Sequence, residues 1–361
     1  MRRAALLAVG CLLALSVAAC GRSRPESMTE RFTGGHTAAL DPSVRGDDRP
    51  ASERFPEFAP FFKGQPEGVD MVEDQMLWGW DDDKAFGWVN QDHAMSHTHV
   101  VDGIRTTYEV ADPTYTIWLF GGSTVFGFGQ RDDFTIASDL VKLAQKRGVH
   151  IQVVNFGVSG YVNWQEVDRF QAALEDGPAP DLAIFFDGAN ETALAIEREA
   201  YGLLDSADTY HLSMKDEQRD ELAKQAKARG YRSTDDLNTA ATVQAAQYRR
   251  GAQRALQLGA AHDVDVVLAW QPHLYTIARD RPLVAQALRL WEISPARQKE
   301  VGQLSDRIAE RSGVDVVDLS SSLDDAQKPV FFDISHANEY GARLQAEALL
   351  DQVWPAIDGS S

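Results

Sequence analysis

Between Trp118 and Gly129 the chain reads WLFGGSTVFGFG, an apolar run that breaks into glycines around a single serine. A hydroxyl placed directly after a β-strand, where Gly121 and Gly122 relax the backbone limits and leave room around it, is displayed as a nucleophile would be. Two phosphate-binding readings of the same glycines fail on residue type. A P-loop needs Gly-Lys followed by Ser or Thr, and no lysine follows here. The dinucleotide fingerprint fails as well, because Gly127-Phe128-Gly129 lies too far past the strand and runs into Gln130, Arg131 and Asp132. On its own Ser123 suits a turn-capping role as well as a catalytic one, so its partners must come from elsewhere in the chain.

Three further segments offer them. Asn155-Phe156-Gly157-Val158-Ser159-Gly160 follows a second β-rich run, Asp187-Gly188-Ala189-Asn190-Glu191 follows a third, and Asp333-Ile334-Ser335-His336 lies near the C-terminus. A neutral serine hydroxyl is a weak nucleophile until a base takes its proton, and a carboxylate on the other imidazole nitrogen fixes the tautomer. An Asp and a His three apart in one loop can both face a cleft. In order and placement these segments resemble the blocks of the SGNH, or GDSL, hydrolase family: Ser, Gly, Gly-x-Asn and Asp-x-x-His, over residues 118 to about 350.

The resemblance implies Ser123 as nucleophile, His336 as general base and Asp333 as the carboxylate that orients the imidazole. It also implies an oxyanion hole built from the Ser123 N–H, the Gly160 N–H and the Asn190 amide, with Gly157 as the competing glycine. A cofactor-free serine esterase working through an acyl-enzyme follows, on an acylated small molecule, glycan or lipid. An O-acyltransferase using the same acyl-enzyme and a non-catalytic glycan-binding protein remain alternatives. Two departures stand out: Gly122 and Glu191 occupy positions where the family usually carries aspartate.

Elements that position these residues are readable from about residue 113. Strands are expected over 115–120, 151–156, 182–186, 264–270 and 314–319, alternating with helices, which implies a parallel sheet covered on both faces. Ala137, Leu140, Val141 and Ala144 share a helix face ending at Gly148, Asn163 with Glu166 looks like a capping box, and Asn338 caps a terminal helix. The expected fold class is α/β: a flavodoxin-like three-layer sandwich with a five-stranded parallel sheet over 113–357. An insertion at about 197–238, its helix starting near Ser213 and Asp216 and stopping at Gly230, reads as a lid, a binding wall or a solvated helix. Residues 61–112 read as a small N-terminal extension packed on the main domain, with β-prone pieces at 98–101 and 106–110.

The first nineteen residues resemble a lipoprotein signal: Arg2 and Arg3, an apolar run, then Val17-Ala18-Ala19-Cys20. That implies lipidation of Cys20, anchoring on the extracytoplasmic side of a bacterial membrane in the cell envelope, and a flexible tether over 20–60. Losing Arg2 and Arg3 takes Lys plus Arg from 35 to 33 against 54 acidic residues, and the net charge from −19 to −21. Such a surface repels phosphate backbones and argues against nucleic acid. Cleavage before Cys20 removes Cys11, the other of the two cysteines, and with Cys20 lipidated none remains for a disulfide or a thiolate metal site. His93, His97 and His99 read as surface histidines and not as a metal site. His273, in Gln271-Pro272-His273 after the fourth strand, sits where it could touch substrate.

Overall fold

The structure is a computed structural model that describes residues 50–359, apart from 55, 66, 78–79, 84–86, 202–233, 278–281 and 292. The signal segment, Cys20 and most of the tether fall in 1–49. Ser213, Asp216 and Gly230 of the insertion fall in 202–233. All lie outside the described residues.

A helical turn, Pro56–Phe62, leads into α1 (Gly68–Leu77) and a hairpin of β1 (Trp80–Asp83) with β2 (Gly87–Asn90). Short strands β3 (His93–Ala94), β4 (His99–Val101) and β5 (Ile104–Arg105) follow. The main domain begins with β6 (Tyr115–Gly121), α2 (Ser123–Phe126), α3 (Ile136–Lys146), β7 (Ile151–Asn155) and α4 (Asn163–Asp176). It continues through β8 (Leu182–Asp187), α5 (Ala189–Tyr201), α6 (Thr234–Ala261) and β9 (Asp265–Trp270). It closes with α7 (Pro282–Leu290), α8 (Pro295–Ser312), β10 (Val317–Asp318) and α9 (Glu339–Ile357).

Strands β10, β9, β8, β6 and β7 lie in that order and pair in parallel, the flavodoxin-like arrangement. Chain direction across the sheet reverses between β6 and β8, and ligands of such sheets bind beyond the strand ends at that point. Strands buried on both faces read as continuous apolar runs, as in LAIFFD of β8, where every residue is buried. Alternation splits β6 between two cores. Ile117 and Leu119 pack with α3 and α9, while Trp118 and Phe120 join an aromatic cluster with Phe156, Phe170 and Phe185.

Several expectations need correction. The sheet has eight strands, because β5 pairs antiparallel with β7 and carries β4 and β3 outward, so the extension continues the main sheet. No strand forms over 106–110. There the Thr107 hydroxyl donates to the Val153 carbonyl and the Tyr108 N–H donates to Ser138 Oγ, so side chains take the place of a ladder. The fifth parallel strand shrinks to Val317–Asp318. The expected tether does not reach residue 60. Phe58 and Phe61 are fully buried and Phe62 packs on Phe332, an apolar burial that outweighs the local proline and polar composition. Finally, α4 is capped from Val162, and Asn163 is its first helical residue, with its side chain turned to Asp187.

Candidate active site

Ser123 begins α2 immediately after β6, with Gly122 as the extended cap before it. A Cβ at Gly121 would fall 2.3 Å from Val125 Cγ2 and 3.0 Å from the Phe186 carbonyl, so the sharp departure from the strand requires glycine there. Gly157 lets the second loop approach equally closely, since a Cβ would meet the Phe126 nitrogen at 2.2 Å. Asn155 locks this contact. Its amide donates to the Val125 carbonyl at 2.8 Å and its Oδ1 accepts from the Gly157 N–H at 2.9 Å. With its N–H spent in this way, Gly157 is the structural glycine of the loop. Gly160, at φ +84°, takes the left-handed turn two residues before Val162.

The structure brings Ser123, His336 and Asp333 together across 213 positions of sequence. Ser123 Oγ lies 2.6 Å from His336 Nε2, and His336 Nδ1 lies 2.5 Å from Asp333 Oδ2. The Asp333 carboxylate, fully buried, also accepts the backbone N–H groups of Ser335 and His336 at 2.8 and 2.6 Å. These donors hold the carboxylate so that Nδ1 carries the ring proton and Nε2 faces the serine hydroxyl as acceptor. Phe332 stacks on the imidazole at 6.0 Å and Phe128 lies 4.8 Å away, fixing the ring plane. The loop that carries the pair is pinned on three sides: Phe332 N–H to the His336 carbonyl, Leu274 N–H to Ile334, and Trp291 Nε1–H to the Phe332 carbonyl.

Asn190, in the first turn of α5, donates one amide hydrogen to the Tyr161 carbonyl at 2.6 Å, which orients the group. The amide rests against Gly122: a Cβ there would fall 2.3 Å from Asn190 Nδ2. That contact accounts for Gly122 itself, because any side chain would occupy the place of the amide. Glu191 also has an evident role. Its two carboxylate oxygens accept the Asn163 N–H at 3.0 Å and the Gly188 N–H at 2.8 Å, clamping the loops that carry Gly160 and Asn190.

Glu191, Glu166 and Asp187 form a buried acidic group beneath these loops. Burial, then the Glu191 charge, pushes the Asp187 carboxyl up to about 8, with an Asn163 hydrogen bond at 2.9 Å partly offsetting it. Burial and the neighbouring Asp187 and Glu191 hold Glu166 well above the usual carboxylate range. Nothing in the spacing of Glu166, Asp187 and Glu191 marks them as a group, since they become neighbours only when β8, α4 and α5 pack.

The other candidates fall elsewhere. His99 Nδ1 pairs with Asp132 Oδ2 at 2.5 Å and His97 lies 4.0 Å from Glu67; among the described residues no cluster of His, Cys, Asp or Glu is arranged to hold a metal. His99 and Arg105 share Asp132, and the buried Arg105 guanidinium also donates to the Gln130 carbonyl, tying the extension to the segment after Ser123. Gln65 and Gln75 do the same at Gly129. His273 is buried behind the cleft and lines a cavity together with Asn190 and Ser335. No helix of the described residues is long and apolar enough to cross a membrane.

No protein-family model matches the chain, and no curated protein matches it in sequence. Among solved structures it is similar to an acetyl xylan esterase, at 14% identity over 66% of this chain and 99% of that one, with a TM-score of 0.39. It is similar to a member of the lipolytic protein G-D-S-L family from Veillonella parvula DSM 2008, at 13% identity, 65% and 96% coverage and a TM-score of 0.38. A lipase/acylhydrolase from Enterococcus faecalis gives 15% identity, 66% and 95% coverage and a TM-score of 0.38.

Proposed function

We propose that the chain is a serine ester hydrolase of the SGNH kind. The observation that carries this reading is the continuous hydrogen-bond line from Ser123 Oγ through His336 to Asp333, buried at the end of the parallel sheet. Ser123 attacks the ester carbonyl as His336 Nε2 takes its proton, while Asp333 stabilises the imidazolium that forms. Negative charge developing on the carbonyl oxygen is met by the Ser123 and Gly160 N–H groups and by the second amide hydrogen of Asn190. The tetrahedral intermediate collapses, His336 protonates the departing alcohol, and a water deprotonated by the same ring releases the acid from Ser123.

The reading extends to a lipid-anchored enzyme of the cell envelope, cleaving O-acyl groups from an envelope glycan or lipid. Its support is the Val17-to-Cys20 motif and the acidic composition.

Comparison of wild type with folded Ser123→Ala on p-nitrophenyl acetate tests the hydrolase. A loss of about 10³-fold or more in kcat is expected. Equal, negligible hydrolysis by both proteins would refute it.

A further inference from the structure

Asp333 fixes one nitrogen of His336, and the torsion that turns an imidazole is intrinsically broad, so the ring plane depends on what packs against it. Two phenyl rings do so: Phe128 at 4.8 Å, and Phe332 at 6.0 Å and within 18° of parallel. Both find support in the same place, residues 56–77 of the N-terminal extension.

Phe62, at the end of the first helical turn, lies 4.9 Å from Phe332, and both rings are buried. Gly68, which opens α1, leaves room for it, since a Cβ there would fall 2.1 Å from Phe62 Cδ1. The same segment holds Gly129, the neighbour of Phe128. The Gly129 N–H donates to Gln75 Oε1 at 2.6 Å, and its carbonyl accepts from Gln65 Nε2 at 2.7 Å, so two buried glutamines satisfy both polar groups of one residue. Gln75 is itself fixed by donating to Thr98 Oγ1 at 2.9 Å. Gly129 takes φ +79°, and a Cβ there would fall 2.5 Å from the Phe332 ring and 3.3 Å from Val72 of α1. Only glycine lets the serine segment, Phe332 and α1 come together at this point.

Direct ties also join the serine segment to the base loop: Gln130 Nε2 donates to the Ala337 carbonyl at 2.8 Å, and Arg131 pairs with Glu339 at 2.7 Å. They fix how far apart the two segments lie, whereas residues 56–77 support the rings that set the aim of the base. We propose that residues 56–77 are a positioning element of the active site, in which Phe62 through Phe332, and Gln75 through Gly129 and Phe128, keep His336 Nε2 on Ser123 Oγ, 2.6 Å away. This inference rests on the ester-hydrolase reading and makes the N-terminal extension part of what sets its rate.

The test is steady-state hydrolysis of p-nitrophenyl acetate, at a temperature where circular dichroism shows each protein fully folded. Since a displacement of about 1 Å at a reacting group can cost roughly a hundredfold, a partly freed imidazole should lower kcat of Phe62→Leu about tenfold, with KM within twofold. Phe62→Tyr, which keeps the ring, should recover most of this loss. Gln75→Met keeps the length of the side chain, removes the acceptor for Gly129, and should lower kcat in the same way. Leu140→Ala, in the core formed with α3, controls for stability: its thermal midpoint should fall by several degrees and its kcat stay within twofold. Wild-type kcat in folded Phe62→Leu and Gln75→Met, or an equal loss in Leu140→Ala, would overturn the positioning role while leaving the hydrolase standing. Wild type as inert on the ester as Ser123→Ala would overturn the hydrolase reading and this one with it.

Discussion

Replacing Gly122 by alanine separates the oxyanion hole from the stability of the fold. The backbone there has φ −79° and ψ −150°, extended values that alanine adopts without strain. The added Cβ, however, falls 2.3 Å from Asn190 Nδ2 and 3.3 Å from the Tyr161 carbonyl. Ordinary contact begins near 3.4 Å, so the amide must retreat by roughly 1 Å and give up its 2.6 Å bond to Tyr161. Loss of one oxyanion donor costs about 2.7–4 kcal/mol of transition-state stabilisation, roughly a hundred- to a thousandfold in kcat. Steady-state hydrolysis of p-nitrophenyl acetate should therefore show kcat down about a hundredfold or more, with KM little changed and the thermal midpoint within a few degrees. Asn190→Ala should lose a similar amount, and the double variant no more than either single one, because both remove the same donor. A Gly122→Ala enzyme with wild-type kcat, or a double variant whose losses multiply, would refute the reasoning.

Two further outcomes concern the structure around the site. Asp187, ordinarily near 3.8, titrates at about 8 when folded, so between those values the folded chain holds a proton that the unfolded chain has released. Stability must fall as pH rises through that window, by on the order of 2–5 kcal/mol. Urea melts at pH 5 and pH 9 should show this fall reduced in Asp187→Asn, and an unchanged fall would count against the assignment. Phe58→Ala should cost about 3–5 kcal/mol in a denaturant melt, because the ring is fully buried near Trp291; a change below 1 kcal/mol would return this segment to the tether.

The sequence made the parallel sheet and the polar residues of its loops legible for a physical reason. Doubly buried strands such as LAIFFD are unbroken apolar runs, and Ser123, Asn190, Asp333 and His336 interrupt the pattern just where runs end. What stayed hidden depends on partners distant in sequence. Gly122 cannot be interpreted without the amide that fills its space, nor Glu191 without the two N–H groups it bridges. Polar, β-prone 106–110 reads as a strand until Ser138 and Val153 take its hydrogen bonds. The aromatic cluster near residue 60 sits among prolines and acidic residues, and only Trp291 and Phe332 explain its burial.

The pinning of the His336 loop bears on when activity arises during synthesis. Asn338, which caps the last helix, donates to the Phe61 carbonyl and to the Pro329 carbonyl at 2.8 Å, so one amide joins the earliest described segment to the latest. A nascent chain carries its serine long before its base, and closing a contact of that span is slow. A chain that ends before Asp333 and His336 leaves Ser123 without the base and carboxylate beside it, an ordinary alcohol.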